Sequence, residues 1–206
     1  MKADPIFNAV ASTEIIWAEI YRLVATLPDA FSPDLVLRDW TEEGLEDDWA
    51  GQRTGFHFEA ANAVKGQRLP SQLLFVFDLA RPETPTRWPH ARKAILTCAY
   101  EPRFGDGWDV DQVVIGMDGQ PISKDSRDNC TQLANGRLLV WDQDDLPWQK
   151  QAWFFSVLLK DIQNREALLK EVVNPIKGLL FSDLPVESVF DQTSAIRFTR
   201  EGTSEN

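Results

Sequence analysis

A chain of 206 residues with 43% hydrophobic and 26% charged side chains is long enough to bury a core without staples and too apolar for wholesale disorder. Its net charge of −11 argues against the positive surface that nonspecific nucleic-acid binding needs to displace counterions. Two cysteines and two histidines exclude a disulfide framework and speak against a Cys/His zinc site.

The charge is unevenly spread: residues 1–50 carry −8 and residues 51–100 carry +4. Eight Trp and twelve Phe against two Tyr are an unusual aromatic set, suited to core packing and, where exposed, to contact surfaces. Asp4, Glu14 and Glu19 interrupt any leader-like apolar stretch, and no run reaches the length of a membrane span. The chain reads as cytoplasmic.

Asp4-Pro5 opens an amphipathic helix, with a capping carboxylate followed by proline in the first turn. Ile16, Trp17, Ile20, Leu23, Val24 and Leu27 recur at helical spacing as far as Pro28. Leu35–Trp40 (LVLRDW) reads as a short strand. The following TEEGLEDDWAG concentrates Glu42, Glu43, Glu46, Asp47 and Asp48 between Trp40 and Trp49. Without adjacent counter-charges it reads as a solvated loop or helix end, or as an acidic patch facing a partner.

From Arg53, RTGFHFEAANAV alternates in part, with Phe56 and Phe58 on one face and His57 and Glu59 on the other. Leu73–Leu79 is apolar on both faces, as in a central strand. RPETPTRWPHARK, residues 81–93, is too proline-rich for a helix or central strand. Its Arg87 and Trp88 give it a basic, aromatic character that can anchor an anionic ligand or pack on the chain's own acidic segment.

AILTCAY predicts a strand with Cys98 as a buried small hydrophobe, whereas Cys130 lies in a polar, accessible stretch. EPRFGDGWDVDQ predicts a loop leading into VVIG. Its Asp106, Asp109 and Asp111 lack the spacing of a calcium loop. Met117-Asp118-Gly119-Gln120 has the Asp-Gly pair of a tight hairpin turn, and Pro121–Gly136 reads as an exposed polar loop ending at Asn135-Gly136.

Arg137–Leu180 holds the longest apolar run, Ala152–Leu159, and is the structural spine. Two readings stand. In one, RLLVWD and AWFFSVLLKDI are neighbouring antiparallel strands followed by a helix near residues 164–176. In the other, Asp145 caps one long helix. The aromatic and β-branched content of Trp153–Val157, with Asn164 as a later cap, favours the first. Pro175 predicts a stop or kink at Asn174. LPVESVF and SAIRFT predict a last hairpin, and residues 201–206 a frayed tail.

Catalytic motifs are missing from the sequence: phosphate-cradling glycine loops, a nucleophile elbow and a His-Glu-x-x-His zinc helix do not occur. Pairing Cys130 with His57 or His90 would need distant segments to meet. Asp142, Asp144 and Asp145 are more simply a loop than paired catalytic carboxylates.

These features predict a single α+β domain over residues 1–200, mainly an antiparallel sheet of about six or seven strands packed by the two amphipathic helices. The leading functional expectation is a non-catalytic acidic interaction module: an adaptor, a chaperone-like factor or an inhibitor or immunity-type protein. Its partner is another protein carrying positive charge, met through Trp40, Glu42, Glu43, Glu46, Asp47, Asp48, Trp49, Arg87 and Trp88. No cofactor, metal, nucleic acid or membrane is expected. The alternative is a small-molecule-binding domain or enzyme with an aromatic-lined pocket between sheet and helix. An enclosed pocket with convergent polar groups would favour the alternative, and an exposed aromatic patch the interaction module.

Overall fold

A computed structural model describes residues 5–44, 53–61, 71–79, 88–102, 109–142 and 147–199, with side chains described from Ser12 onward. Seven antiparallel strands form one sheet in the order β1-β2-β3-β4-β7-β6-β5. They are β1 (Leu37–Gly44), β2 (Arg53–Ala60), β3 (Ser71–Asp78), β4 (Ile95–Glu101), β5 (Cys130–Leu133), β6 (Leu138–Trp141) and β7 (Trp153–Leu158). The fold is α+β, as the sequence predicts.

Both faces of this sheet are covered, which explains the strands that are apolar on both sides. On β3, Leu73, Phe75 and Phe77 join one core cluster, while Leu74 and Val76 join a second on the opposite face. The run WFFSVL divides in the same way: Trp153, Phe155 and Val157 point to the first face and Phe154 and Leu158 to the second. Its one polar member, Ser156, is satisfied by Thr97 on β4 at 2.8 Å.

The first face is covered by α1 (Pro5–Phe31) and by the helical stretch α4 (Arg165–Leu168), a π-helical turn (Leu169–Val173) and α5 (Asn174–Phe181). α1 runs three residues beyond Pro28, because Leu27 and Phe31 are both wholly buried against the sheet. The strand-then-helix reading of the spine is correct. β6 and β7 pair with Leu139 opposite Phe154, and Asn164 caps α4 by accepting the Ala167 N–H at 2.9 Å.

Pro175 does not stop this helix. The preceding turn widens instead, so that Asn174 N–H bonds Leu169 O, five residues back. A π turn of this kind makes room for a proline ring and its missing N–H, and the helix continues to Phe181. Glu171, in the same turn, is buried and accepts the Ser194 N–H at 2.6 Å, which ties the C-terminal segment to the rod.

The second face is covered by α2 (Val110–Val113), by the turn after Trp88, by Val114 and Ile115, and by Ile196 and Phe198 of the C-terminal segment. Gly119, at φ +79°, closes the predicted Met117–Gln120 turn, whose flanks meet at Ile115 and Pro121. Pro121–Gly136 is not an exposed loop. It contains α3 (Lys124–Asn129) and the edge strand β5, held down by the fully buried Ser126, whose hydroxyl donates to Gln112 O at 2.7 Å. Asn135 and Gly136, both with positive φ, then reverse the chain into β6.

The predicted last hairpin is also corrected. Val186–Val189 forms α6, a turn follows at Phe190–Thr193, and the chain then runs beside β7 without forming a strand of its own. Ile196 N–H bonds Ser156 O at 2.8 Å and Phe198 N–H bonds Gly136 O at 2.7 Å. These N–H groups of the tail are therefore satisfied by β7 and by the turn at Gly136 rather than by a hairpin partner. Residues 201–206 lie outside the described residues.

Candidate interaction surface

The edge strand β1 places the first group of candidate residues. Asp39 is an extra residue in β1, with φ +26°, and the register with β2 shifts between Arg38 and Trp40. Strict alternation would put Trp40 on the face opposite Leu37. The bulge returns it to the same face, opposite Phe58, where α1 lies. There Trp40 meets Phe56 at 5.3 Å and Tyr21 at 6.4 Å between ring centroids, and Tyr21 continues to Trp17 at 6.2 Å. Trp40 stays 43% exposed and Tyr21 41% exposed, so this ladder reaches from the core to the surface.

Glu42 follows Trp40 on the same face and accepts the Tyr21 hydroxyl at 2.7 Å. That hydrogen bond, helped by partial burial and by the carboxylate charge, holds the Tyr21 phenol above its ordinary value, because a phenolate would stand against Glu42. Glu43 projects to the other face, where its carboxylate accepts from His57 Nε2 at 2.7 Å. The Gln72 amide contacts His57 Nδ1. Both imidazole nitrogens thus have protein partners, which suits a structural clamp on the edge strand better than a proton-transfer role.

Thr41–Gly44 is therefore strand rather than solvated loop, since its backbone pairs with β2 and its carboxylates have partners. Glu46, Asp47, Asp48, Trp49 and Arg87 lie outside the described residues. Trp88 is 7% exposed and belongs to the cluster on the second face. Its indole covers Gly119 so closely that a Cβ there would stand 2.6 Å from Nε1. The fold thus does not bring Trp88 together with Trp40.

A groove whose lining residues are not among the site candidates of the sequence lies on the other flank of α1. It has a volume of about 460 Å³ and lies between α1 and the segment Leu159–Leu168, with Phe77 of β3 lining it. Its walls are aliphatic rather than aromatic. Ile15 and Ile16 line it while remaining 64% and 46% exposed. A signal was present: two adjacent isoleucines widen the apolar stripe beyond what one helix can bury on a sheet. Its polar groups do not converge. Glu19 pairs with Arg22 at 2.7 Å, Gln163 donates to Lys160 O at 3.1 Å, and Asn164 caps its own helix.

Cys98 is buried, and burial pushes its thiol well above the usual range. Cys130 is half-buried rather than accessible, and its thiol is pushed up to about 12, so neither cysteine is a ready thiolate nucleophile. Among the described residues no group of three or more His, Cys, Asp or Glu could hold a metal ion, and no helix is long and apolar enough to cross a membrane. No protein-family model, curated protein or solved structure matches the chain.

Proposed function

We propose that the chain is a non-catalytic cytoplasmic interaction module whose contact surface is the acidic, aromatic edge of the sheet. The observation that carries this reading is Trp40, 43% exposed on an edge strand, braced by Tyr21 and followed by Glu42 and Glu43. A tryptophan fixed by neighbouring rings loses little further entropy on binding, and exposed Trp and Tyr are the side chains that carry contact energy. The carboxylates select a partner protein with positive charge and speed its approach. Glu46, Asp47, Asp48 and Trp49 follow in the sequence. Buried Trp88 has no part in this surface.

Capture of partners from the cell of origin, comparing the wild-type chain with Trp40→Ala and Glu42→Arg, tests this reading. Loss of the same protein from both variants, with salt-sensitive capture by the wild type, supports it. Capture undiminished in both removes the surface.

The groove supports a second reading, a small-molecule-binding domain, because its volume of about 460 Å³ falls within the roughly 300–1,000 Å³ of ligand sites. The interaction module leads because the groove's polar groups do not converge: Glu19 and Arg22 pair with each other, Gln163 and Asn164 bond backbone groups, and Arg165 stands apart from them.

A further inference from the structure

We infer that the groove between α1 and the Leu159–Leu168 segment takes a single-chain anionic amphiphile, a long-chain alkyl carboxylate. This rests on the second reading above and is independent of the β1 surface. Ile20, Phe77 and Leu168 are buried and line the groove, and Leu23, Leu159 and Ile162 stand partly buried beside them. Of these only Phe77 is aromatic. Branched aliphatic walls give a planar ligand no ring to stack on, whereas a flexible alkyl chain gains contact along its whole length.

Charge selects the head group. Arg22 and Arg165 line the groove against one carboxylate, Glu19, so this site has a local excess of one positive charge in a chain of net −11. Glu19 is already paired with Arg22 at 2.7 Å. Arg165 is exposed and has no side-chain partner among the described residues. An alkyl chain laid over Ile20 and Leu23 can leave its carboxylate beside that guanidinium, a pairing suited to arginine's planar fork of donors.

Calorimetric titration of the full chain with decanoate, laurate and dodecyltrimethylammonium, all below micelle formation, tests this. Laurate should bind about fifteenfold tighter than decanoate, since it buries two more methylenes and each is worth roughly a fourfold gain. It should bind roughly fivefold or more tighter than the cation of equal chain length. Replacing both exposed arginines, Arg22→Gln with Arg165→Gln, should remove the preference for the anion without affecting the fold, since Glu19 is then the one charge left in the groove. Ile16→Glu, at the exposed mouth, should abolish laurate binding.

Equal binding of the two head groups, or a preference that survives in the arginine variant, overturns the anionic assignment while leaving the groove a small-molecule site. Laurate binding undiminished by Ile16→Glu places the chain elsewhere and overturns the site. Failure of all three compounds to bind overturns both this inference and the reading beneath it.

Discussion

The two flanks of α1 end in opposite ways. Toward β1, Trp17 and Tyr21 are completed by the protein's own chemistry: rings meet Trp40 and Phe56, and the Tyr21 hydroxyl finds Glu42. Toward the Leu159–Leu168 segment, Ile15 and Ile16 are left beside an open groove. Exposure alone does not distinguish them, since Tyr21 and Ile16 are 41% and 46% exposed. One flank is a fixed polar-aromatic surface, and the other an unfilled aliphatic space.

The largest effect is expected beneath the groove. Phe77 is fully buried and lines the groove, so Phe77→Ala should cost about 3–5 kcal/mol of stability and enlarge the cavity. Denaturant unfolding measures it. A loss below about 1 kcal/mol would mean that the groove closes over the gap, and that its open form is not a fixed feature of the fold.

Next in size are the exposed side chains themselves. Trp40→Ala should destabilise by about 1–2 kcal/mol, because the indole gives up contacts with Tyr21, Phe56 and Phe58. Ile15→Ala, at 64% exposure, should stay within about 0.5 kcal/mol. Equal effects in thermal unfolding would erase the distinction between a braced flank and an open one.

Asp39→Gly should stabilise by up to about 1 kcal/mol, since glycine accepts the positive φ at which Asp39 is held. Deleting Asp39 instead should turn Trp40 to the opposite face and break its contact with Tyr21. Tryptophan fluorescence and melting temperature follow both changes.

The smallest effect is electrostatic. The Tyr21 phenol lies above its ordinary value through its bond to Glu42, and Tyr100 lies above its own chiefly through burial. For a group raised in the folded state, the associated stability is present below the unfolded value, about 10, and is lost as pH rises through the folded one. Ultraviolet titration should therefore find both tyrosines ionising above about 10, and Glu42→Gln should bring only Tyr21 down. A Tyr21 titration unmoved by Glu42→Gln would show that the bond does not order this flank.

Much of the fold is legible in the chain because period and capping agree there. Leu73–Leu79 and Trp153–Leu158 read as buried strands, and Asn164 marks the helix that follows. The misreadings come from features that leave no mark in composition. The π turn before Pro175 needs no special residue, so the proline alone predicts a stop. The bulge at Asp39 inverts the alternation of LVLRDW with an ordinary aspartate, which hides which way Trp40 faces. Pro121–Gly136 reads as a loop because its anchor is a buried serine rather than an apolar side chain.

The candidate surface is half legible for a related reason. Trp40 and its acidic neighbours stand out by residue type, but Tyr21 does not, because its pairing with Glu42 spans 21 positions and depends on how α1 crosses the sheet. Trp88 draws attention by its basic setting, yet it is Gly119 that defines its role as packing.

The most direct measurement of the central claim is partner capture by wild type, Trp40→Ala and Ile15→Ala side by side, each verified as folded. Trp40→Ala should lose the partner while Ile15→Ala retains it at wild-type yield. A partner kept by Trp40→Ala and lost by Ile15→Ala would move the contact surface to the groove and contradict the account.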